Sequence, residues 1–165
     1  MKKDDLELKT FGCRLNIWES ELIKKHAVKS GIQNTVIINS CAVTSEAEKQ
    51  ASKFVRKIRK NNPEKKIIIT GCSAQINSKY WEELNEVDYI IGNNIKLNLN
   101  TWNNLKKGYL SKLNLENINN VRHIHDDKIK KFKSHSRSCL QIQQGCDHRC
   151  TFCIIPYARG PNRSL

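Results

Sequence analysis

The fold of this chain is indicated by one short apolar run, Thr35-Val36-Ile37-Ile38-Asn39, with Cys41 just beyond its end. Consecutive β-branched residues without alternation are typical of a strand that is buried on both faces of a parallel sheet. A helix is predicted next, because Ser45 and Glu48 match a capping box at its start. The apolar stripe predicted for this helix consists of Ala47, Ala51, Phe54, Val55 and Ile58. Together these residues make one strand-to-helix unit.

Similar units are predicted on both sides of this one. The further predicted elements are strands over 6–10, 66–70 and 87–91 and helices over 17–30 and 95–107. Glu19 and Glu21 are expected in the first turn of the first helix, where negative charge complements the helix dipole. About four such βα units predict an α/β domain with a parallel sheet over residues 1–108.

Three cysteines, Cys13, Cys41 and Cys72, follow the first three predicted strands and are called the first cysteine set. A single cysteine at a strand end is usually a small buried hydrophobic residue. Because parallel strands end at the same edge of a sheet, however, the three could converge on one site. Three thiolates suit an iron-sulfur cluster with one open iron, and no histidine follows an equivalent strand to complete a zinc site.

The second cysteine set, Cys146, Cys150 and Cys153, has the spacing C-x-x-x-C-x-x-C within residues 145–156. Three thiolates again leave one iron of a four-iron cluster free for a substrate or cofactor. A four-ligand zinc site that adds His148 is the alternative. The spacing favours the cluster.

The segment between the two cysteine sets is polar over residues 109–137 and is interpreted as an inter-domain linker. Its histidines, to which no ligand role is assigned, are His123, His125 and His135. A strand over 139–143 is predicted to lead into the second cysteine set, and residues 138–165 are interpreted as the start of a second domain.

The formal net charge of +13 lies mainly in the C-terminal part, because residues 1–95 carry a net +4 and residues 96–165 a net +9. Excess positive charge favours a polyanionic partner such as a nucleic acid, although lysine-rich surfaces also serve solubility. A basic row on the predicted second helix is interpreted as a solvated face. It consists of Lys49, Lys53, Arg56, Lys57 and Lys60.

The cellular compartment is predicted from what the sequence lacks. The first residues contain no apolar run that would serve as a signal peptide, and no window approaches the roughly 18 apolar residues of a membrane span. The seven cysteines, an odd number, favour thiolate chemistry over a disulfide framework. We therefore expect a cytoplasmic protein without a membrane partner.

The cysteine motifs together resemble the radical S-adenosylmethionine (SAM) methylthiotransferases. The motifs are Phe11-Gly12-Cys13-Arg14-Leu15-Asn16, Asn39-Ser40-Cys41-Ala42-Val43-Thr44, Thr70-Gly71-Cys72-Ser73-Ala74-Gln75, and Gln144 through Cys153 to Gly160. Residues 41–44 and 154–160 are most similar to the enzymes that methylthiolate N6-threonylcarbamoyladenosine beside the tRNA anticodon. Relatives that act on isopentenyladenosine or on a ribosomal protein share the cysteine frame.

The resemblance implies a role for each cysteine set. Cys146, Cys150 and Cys153 would hold a 4Fe-4S cluster that binds and cleaves SAM. Cys13, Cys41 and Cys72 would hold an auxiliary 4Fe-4S cluster that carries the transferred sulfur. The implied partners are the tRNA anticodon stem-loop and an electron donor such as a flavodoxin or ferredoxin.

The loop that carries the second cysteine set is called the cluster loop. Members of this family continue beyond it into a SAM-binding barrel and an RNA-binding β-barrel. Here only the first strand and cluster loop of the former are expected, in residues 138–165. The chain is therefore interpreted as the N-terminal part of such an enzyme, inactive alone unless a separate chain supplies the barrel, with a poorly ordered linker and cluster loop. The alternatives are a non-catalytic fragment and a metal-binding module that binds RNA.

Overall fold

A five-stranded parallel sheet forms the centre of the N-terminal domain. The computed structural model describes residues 5–125 and 139–165. The strands follow chain order across the sheet and are β1 Leu6–Thr10, β2 Thr35–Ser40, β3 Lys66–Gly71, β4 Tyr89–Ile91 and β5 Leu113–Asn114. Each neighbouring pair is parallel, which confirms the predicted α/β class.

Helices connect the strands and cover the sheet. They are α1 Arg14–Lys29, α2 Ser45–Asn61, α3 Cys72–Ile76, α4 Ser78–Glu83, α5 Leu99–Lys107 and α6 Ile155–Arg159. Two 3-10 turns occur at Ile95–Leu97 and Ile118–Asn120. In the described part of the chain, none of the helices has the length and apolar character needed to cross a lipid bilayer.

The core has two apolar layers, one on each face of the sheet. One layer contains Val36, Ile38, Ala51, Val55, Ile58, Ile67, Ile69, Ala74, Trp81, Val87 and Ile90. The other contains Ile23, Ala27, Ile32, Ile37, Ile68, Ile91, Trp102 and Leu105. Consecutive residues within β2, and likewise within β3, thus pack into opposite layers, and both layers are buried. This explains why the strand sequences show no apolar-polar alternation.

Helix α1 begins three residues earlier than predicted. Its N-cap is Cys13, whose carbonyl oxygen accepts a hydrogen bond from the amide of Ile17 at 3.2 Å. The first turn therefore contains no acidic residue. The expectation that Glu19 complements the dipole there is wrong, because its side chain is fully buried in the second turn.

The predicted capping box of α2 is also wrong. The N-cap is Thr44, whose Oγ1 accepts a hydrogen bond from the amide of Ala47 at 3.3 Å. Glu48 turns away from the helix start, because its Oε1 accepts hydrogen bonds from Ser73 and from Asn77, the latter at 2.7 Å. The tertiary partners of Glu48 thus replace the local one, and they tie α2 to α3.

The predicted helix over 95–107 is divided in two. After the 3-10 turn, the Asn98 side chain accepts a hydrogen bond from the amide of Asn100 at 2.9 Å and so starts α5 as a separate helix. Gly108 ends α5 at φ +77°, a left-handed conformation that glycine adopts readily.

The predicted linker over 109–137 contributes to the domain. Its residues Leu113–Asn114 form the fifth strand, and Ile118 is buried. Residues 126–138, which include His135, lie outside the described part of the chain. The domain boundaries at 108 and 138 therefore stay a prediction.

The predicted strand over 139–143 is mostly irregular. Only Gln143–Gln144 forms a strand, β6, which pairs antiparallel with β7, Arg163–Ser164. Among the described residues, 139–142 have no strand partner. The end of the cluster loop is nevertheless held in place, contrary to expectation, because α6 packs on α3 and on the turn at Ile118–Asn120.

We expect Gly71→Ala to destabilise the domain strongly. Gly71 has φ +96°, and a Cβ there would lie 2.2 Å from the carbonyl oxygen of Ser40. The free energy of unfolding, measured by chemical denaturation, should fall by about 3 kcal/mol or more. Gly108→Ala is the matched control, since Gly108 also has positive φ but open space around it; about 1 kcal/mol is expected there. Equal losses would contradict the steric explanation.

Candidate metal centre

The first cysteine set lies at the carboxyl edge of the sheet, as predicted. Cys13 precedes α1, Cys41 follows β2 directly, and Cys72 is the first residue of α3. The strand ends are level, because Ser40 of β2 is in register with Gly71 of β3. The sequence pattern was sufficient to place all three cysteines at one edge.

The loops that carry these cysteines approach one another closely. A Cβ at Gly12 would lie 2.8 Å from the Cβ of Cys41 and 3.0 Å from its Sγ. Each sulfur also has a polar contact: Cys13 with Asn16 Oδ1 at 3.6 Å, Cys41 with the amide of Val43 at 3.4 Å, and Cys72 with Asn93 Nδ2 at 3.6 Å. Because a Cβ at Gly12 would collide with Cys41, a glycine is needed there for the two loops to approach this closely.

The ligand role of the first cysteine set stays a prediction. Over residues 5–125 and 139–165, no three Cys, His, Asp or Glu side chains are grouped closely enough to hold a metal ion. All three thiols are free, and two of the sulfurs accept contacts from N–H groups. Three soft donors at one edge fit a group that prefers thiolates, such as an iron-sulfur cluster.

The second cysteine set lies in the loop between β6 and α6. Its thiols are free and at least partly exposed. The loop is closed at its base, where the amide of Cys146 donates to the carbonyl oxygen of Gly160 at 3.1 Å. Within the loop, the amide of Cys153 donates to the carbonyl oxygen of Cys150 at 3.0 Å. His148 is exposed.

A buried charge network, formed by Glu19, Lys96 and Arg159, lies behind the carboxyl edge. Glu19 Oε2 accepts a hydrogen bond from Lys96 Nζ at 2.7 Å, and Glu19 Oε1 accepts one from Arg159 at 2.6 Å. Burial alone would raise the pKa of Glu19. The charges of Arg159 and Lys96, with their hydrogen bonds, outweigh burial and lower that pKa to about 2.

The pKa values of the two cations of the network shift in opposite directions. For Lys96, burial is the largest influence and lowers the pKa despite the attraction of Glu19. For Arg159, burial also lowers the pKa, but the attraction of Glu19 and Cys72 exceeds it, and the net shift is upward. Arg159 is therefore charged at every accessible pH.

Arg159 brings the end of the cluster loop onto the N-terminal domain. Besides Glu19, its guanidinium donates to Asn16 Oδ1 at 2.6 Å. The preceding residue is held too, because Asn93 Nδ2 donates to the carbonyl oxygen of Ala158 at 2.7 Å. A Cβ at Gly160 would lie 2.2 Å from the carbonyl oxygen of Ile118. These contacts connect the segment that carries the second cysteine set to the sheet edge at which the first cysteine set lies.

Sequence reasoning missed the buried charge network. The sequence pattern places Glu19 at a helix dipole, includes Lys96 within the predicted helix over 95–107 and includes Arg159 within a motif, without assigning a role to either cation. No local pattern identifies them, since Glu19 is 77 residues from Lys96 and 140 from Arg159.

Known proteins match this chain over the residues that form the candidate site. The family described as "Uncharacterized protein family UPF0004" matches residues 5–92, which include the first cysteine set. The threonylcarbamoyladenosine tRNA methylthiotransferase MtaB of Rickettsia prowazekii (strain Madrid E) is 49% identical over 159 residues. That alignment covers 96% of this chain and 37% of the relative. The chain belongs to the methylthiotransferase family.

Other methylthiotransferases align over most of this chain as well. The MtaB of Aquifex aeolicus (strain VF5) is 30% identical, over 94% of this chain and 40% of its own length. The tRNA-2-methylthio-N(6)-dimethylallyladenosine synthase of Thermodesulfovibrio yellowstonii is 33% identical, over 99% of this chain and 40% of its own length. The chain thus spans about two fifths of these methylthiotransferases.

We expect Glu19→Gln to destabilise the chain in a pH-dependent way. The folded-state pKa of Glu19, about 2, lies below its ordinary value of 4.5. Ionised Glu19 therefore contributes stability above pH 4.5, and the contribution is lost as the pH falls towards 2. The loss at neutral pH should be on the order of 3 kcal/mol.

The measurement is urea denaturation of parent and variant from about pH 7 to about pH 2.5, over which the difference between them should shrink. Asp5→Asn is the control, since Asp5 pairs with Lys65 at 2.9 Å but is mostly exposed; its effect should be small. A difference that is constant with pH would contradict the assignment of charge to Glu19.

Proposed function

We propose that this chain carries the cluster-binding residues of a tRNA methylthiotransferase. The reaction would add a methylthio group to carbon 2 of N6-threonylcarbamoyladenosine next to the anticodon. One observation carries the proposal: two sets of three free cysteines, the first at one sheet edge and the second in a loop whose end is fixed to that edge by Arg159. The names of the MtaB relatives support the substrate.

The two cysteine sets have separate roles in this proposal. Cys146, Cys150 and Cys153 would hold the 4Fe-4S cluster that binds SAM, and Cys13, Cys41 and Cys72 would hold an auxiliary 4Fe-4S cluster. When bound, the clusters supply one-electron reduction of SAM and the sulfur for transfer. Three protein ligands in each set leave one position open for these tasks.

The side chains around the sites position and shield them. The Arg159 contacts keep the end of the cluster loop at the sheet edge. On the loop itself, the guanidinium of Arg149 lies 5.7 Å from the ring centre of Tyr157, which orders two exposed side chains. Asn16 and Asn93 link the buried charge network to Cys13 and Cys72.

The partners follow from the same proposal. Positive charge in the C-terminal part, a net +9 over residues 96–165, suits the phosphates of a tRNA anticodon stem-loop. Reduction of the clusters needs an electron donor protein, such as a flavodoxin or ferredoxin. We place the reaction in the cytoplasm, where tRNA is modified, and a further chain or segment would supply the remaining SAM contacts.

Metal analysis tests the cluster assignment. After anaerobic reconstitution, the parent should contain about eight irons and as many sulfides, and Cys13→Ala and Cys146→Ala should each contain about four. Cys139→Ala is the matched control, because this free cysteine lies outside both sets, and it should equal the parent. Zinc alone, or no iron in the parent, would overturn the proposal.

Nucleoside analysis tests the substrate. Deleting the gene should remove 2-methylthio-N6-threonylcarbamoyladenosine from cellular tRNA, as measured by mass spectrometry of the digested nucleosides. Expression of the parent should restore it only where the rest of the enzyme is present, and expression of Cys13→Ala should not. The Thermodesulfovibrio relative makes a dimethylallyladenosine derivative by its name. Loss of the methylthio group from that nucleoside instead would favour this second substrate.

A further inference from the structure

The charges of the network formed by Glu19, Lys96 and Arg159 do not balance. Glu19 and Lys96 have no exposed surface, and Arg159 is 3% exposed. In the described part of the chain, Glu19 is the carboxylate that forms salt bridges with both cations. Two positive charges thus face one negative charge. An unpaired buried charge is costly, so the surplus needs a counterpart.

The hydrogen bonds show that Lys96 carries its charge. Its Nζ has three acceptors, which are the carboxylate of Glu19, Asn93 Oδ1 at 2.6 Å and Asn39 Oδ1 at 3.2 Å. Both amides are oriented by their NH₂ groups, since Asn39 donates to Ser20 and Asn93 donates to the carbonyl oxygen of Ala158. Three acceptors match the three donors of an ammonium group, whereas a neutral amine has only two.

The surplus charge faces the first cysteine set. Arg159 donates to Asn16 Oδ1 at 2.6 Å, and the same oxygen lies 3.6 Å from the sulfur of Cys13. Asn93 contacts both Lys96 Nζ and the sulfur of Cys72. The surplus exists only while α6 is docked, because Lys96 and Glu19 alone balance.

We propose that Lys96 and Arg159 are positioning residues of the first cysteine set, whose surplus positive charge favours an anionic cluster there and raises its reduction potential. The proposal rests on the proposed function. A four-iron core with three thiolates carries about one negative charge, and reduction by one electron adds another. Nearby positive charge therefore stabilises the reduced form more than the oxidised form. Docking of α6 would thus tune the site.

A redox titration of the full chain tests this inference. The second cysteine set is first replaced by Cys146→Ala, Cys150→Ala and Cys153→Ala, so that only the first cysteine set holds iron. Dithionite is the reductant, and electron paramagnetic resonance reports the reduced fraction. At fixed potential, Lys96→Gln and Arg159→Gln should lower the ratio of reduced to oxidised cluster, by about threefold or more, and Arg159→Lys should stay near the parent.

Glu19→Gln distinguishes electrostatics from structure. It removes a network contact as Lys96→Gln does, but it increases the surplus charge, so the ratio should rise. Lys65→Gln is the control, because Lys65 pairs with Asp5 at the amino end of the strands and its loss should change nothing.

Each other outcome decides against the inference. Shifts of Lys96→Gln and Glu19→Gln in the same direction, or no shift, would overturn it and leave a structural role. The inference would also be overturned if Lys96→Gln and Glu19→Gln both lost their iron and Arg159→Lys held no more iron than Arg159→Gln. A parent without iron would overturn the proposed function and this inference together, and the iron content of the parent separates that case from the others.

Discussion

The carboxylate of Glu19 accepts hydrogen bonds from two buried cations, and the arrangement of the carboxyl edge depends on this interaction. Charged groups are buried at a high cost in solvation free energy unless each is paired and its hydrogen bonds are satisfied. Lys96 and Arg159 can both reach the carboxylate of Glu19 only when α1, the turn before α5 and α6 lie at fixed distances. The network therefore determines where three separate parts of the chain meet.

Two asparagines connect the buried charge network to the cysteines. Asn16 accepts from Arg159 and contacts Cys13, while its Nδ2 donates to the carbonyl oxygens of Phe11 and Ser40. Asn93 connects Lys96 with Cys72 in a similar way. Amides suit this role because they donate and accept without adding charge. One amide side chain thus lies between each of these two thiols and a cation of the network.

Local sequence patterns failed where a distant partner competed with a local one. Glu48 matched a capping box, but its carboxylate binds Ser73 and Asn77 of the neighbouring helical segment. The fifth strand, Leu113–Asn114, was too short and polar to be distinguished from a linker, and it forms only because β4 offers a free edge. In both cases a tertiary contact outweighed a weak local preference.

The sequence by itself determined the order of the βα units and the placement of three cysteines at one edge, because buried parallel strands carry a continuous apolar run and their carboxyl ends coincide. Only the tertiary structure decided that the end of the cluster loop returns to that edge. Arg159 reaches Glu19 across 140 residues. Attraction between buried charges depends on distance in space and dielectric surroundings, and it leaves no periodic signal along the chain.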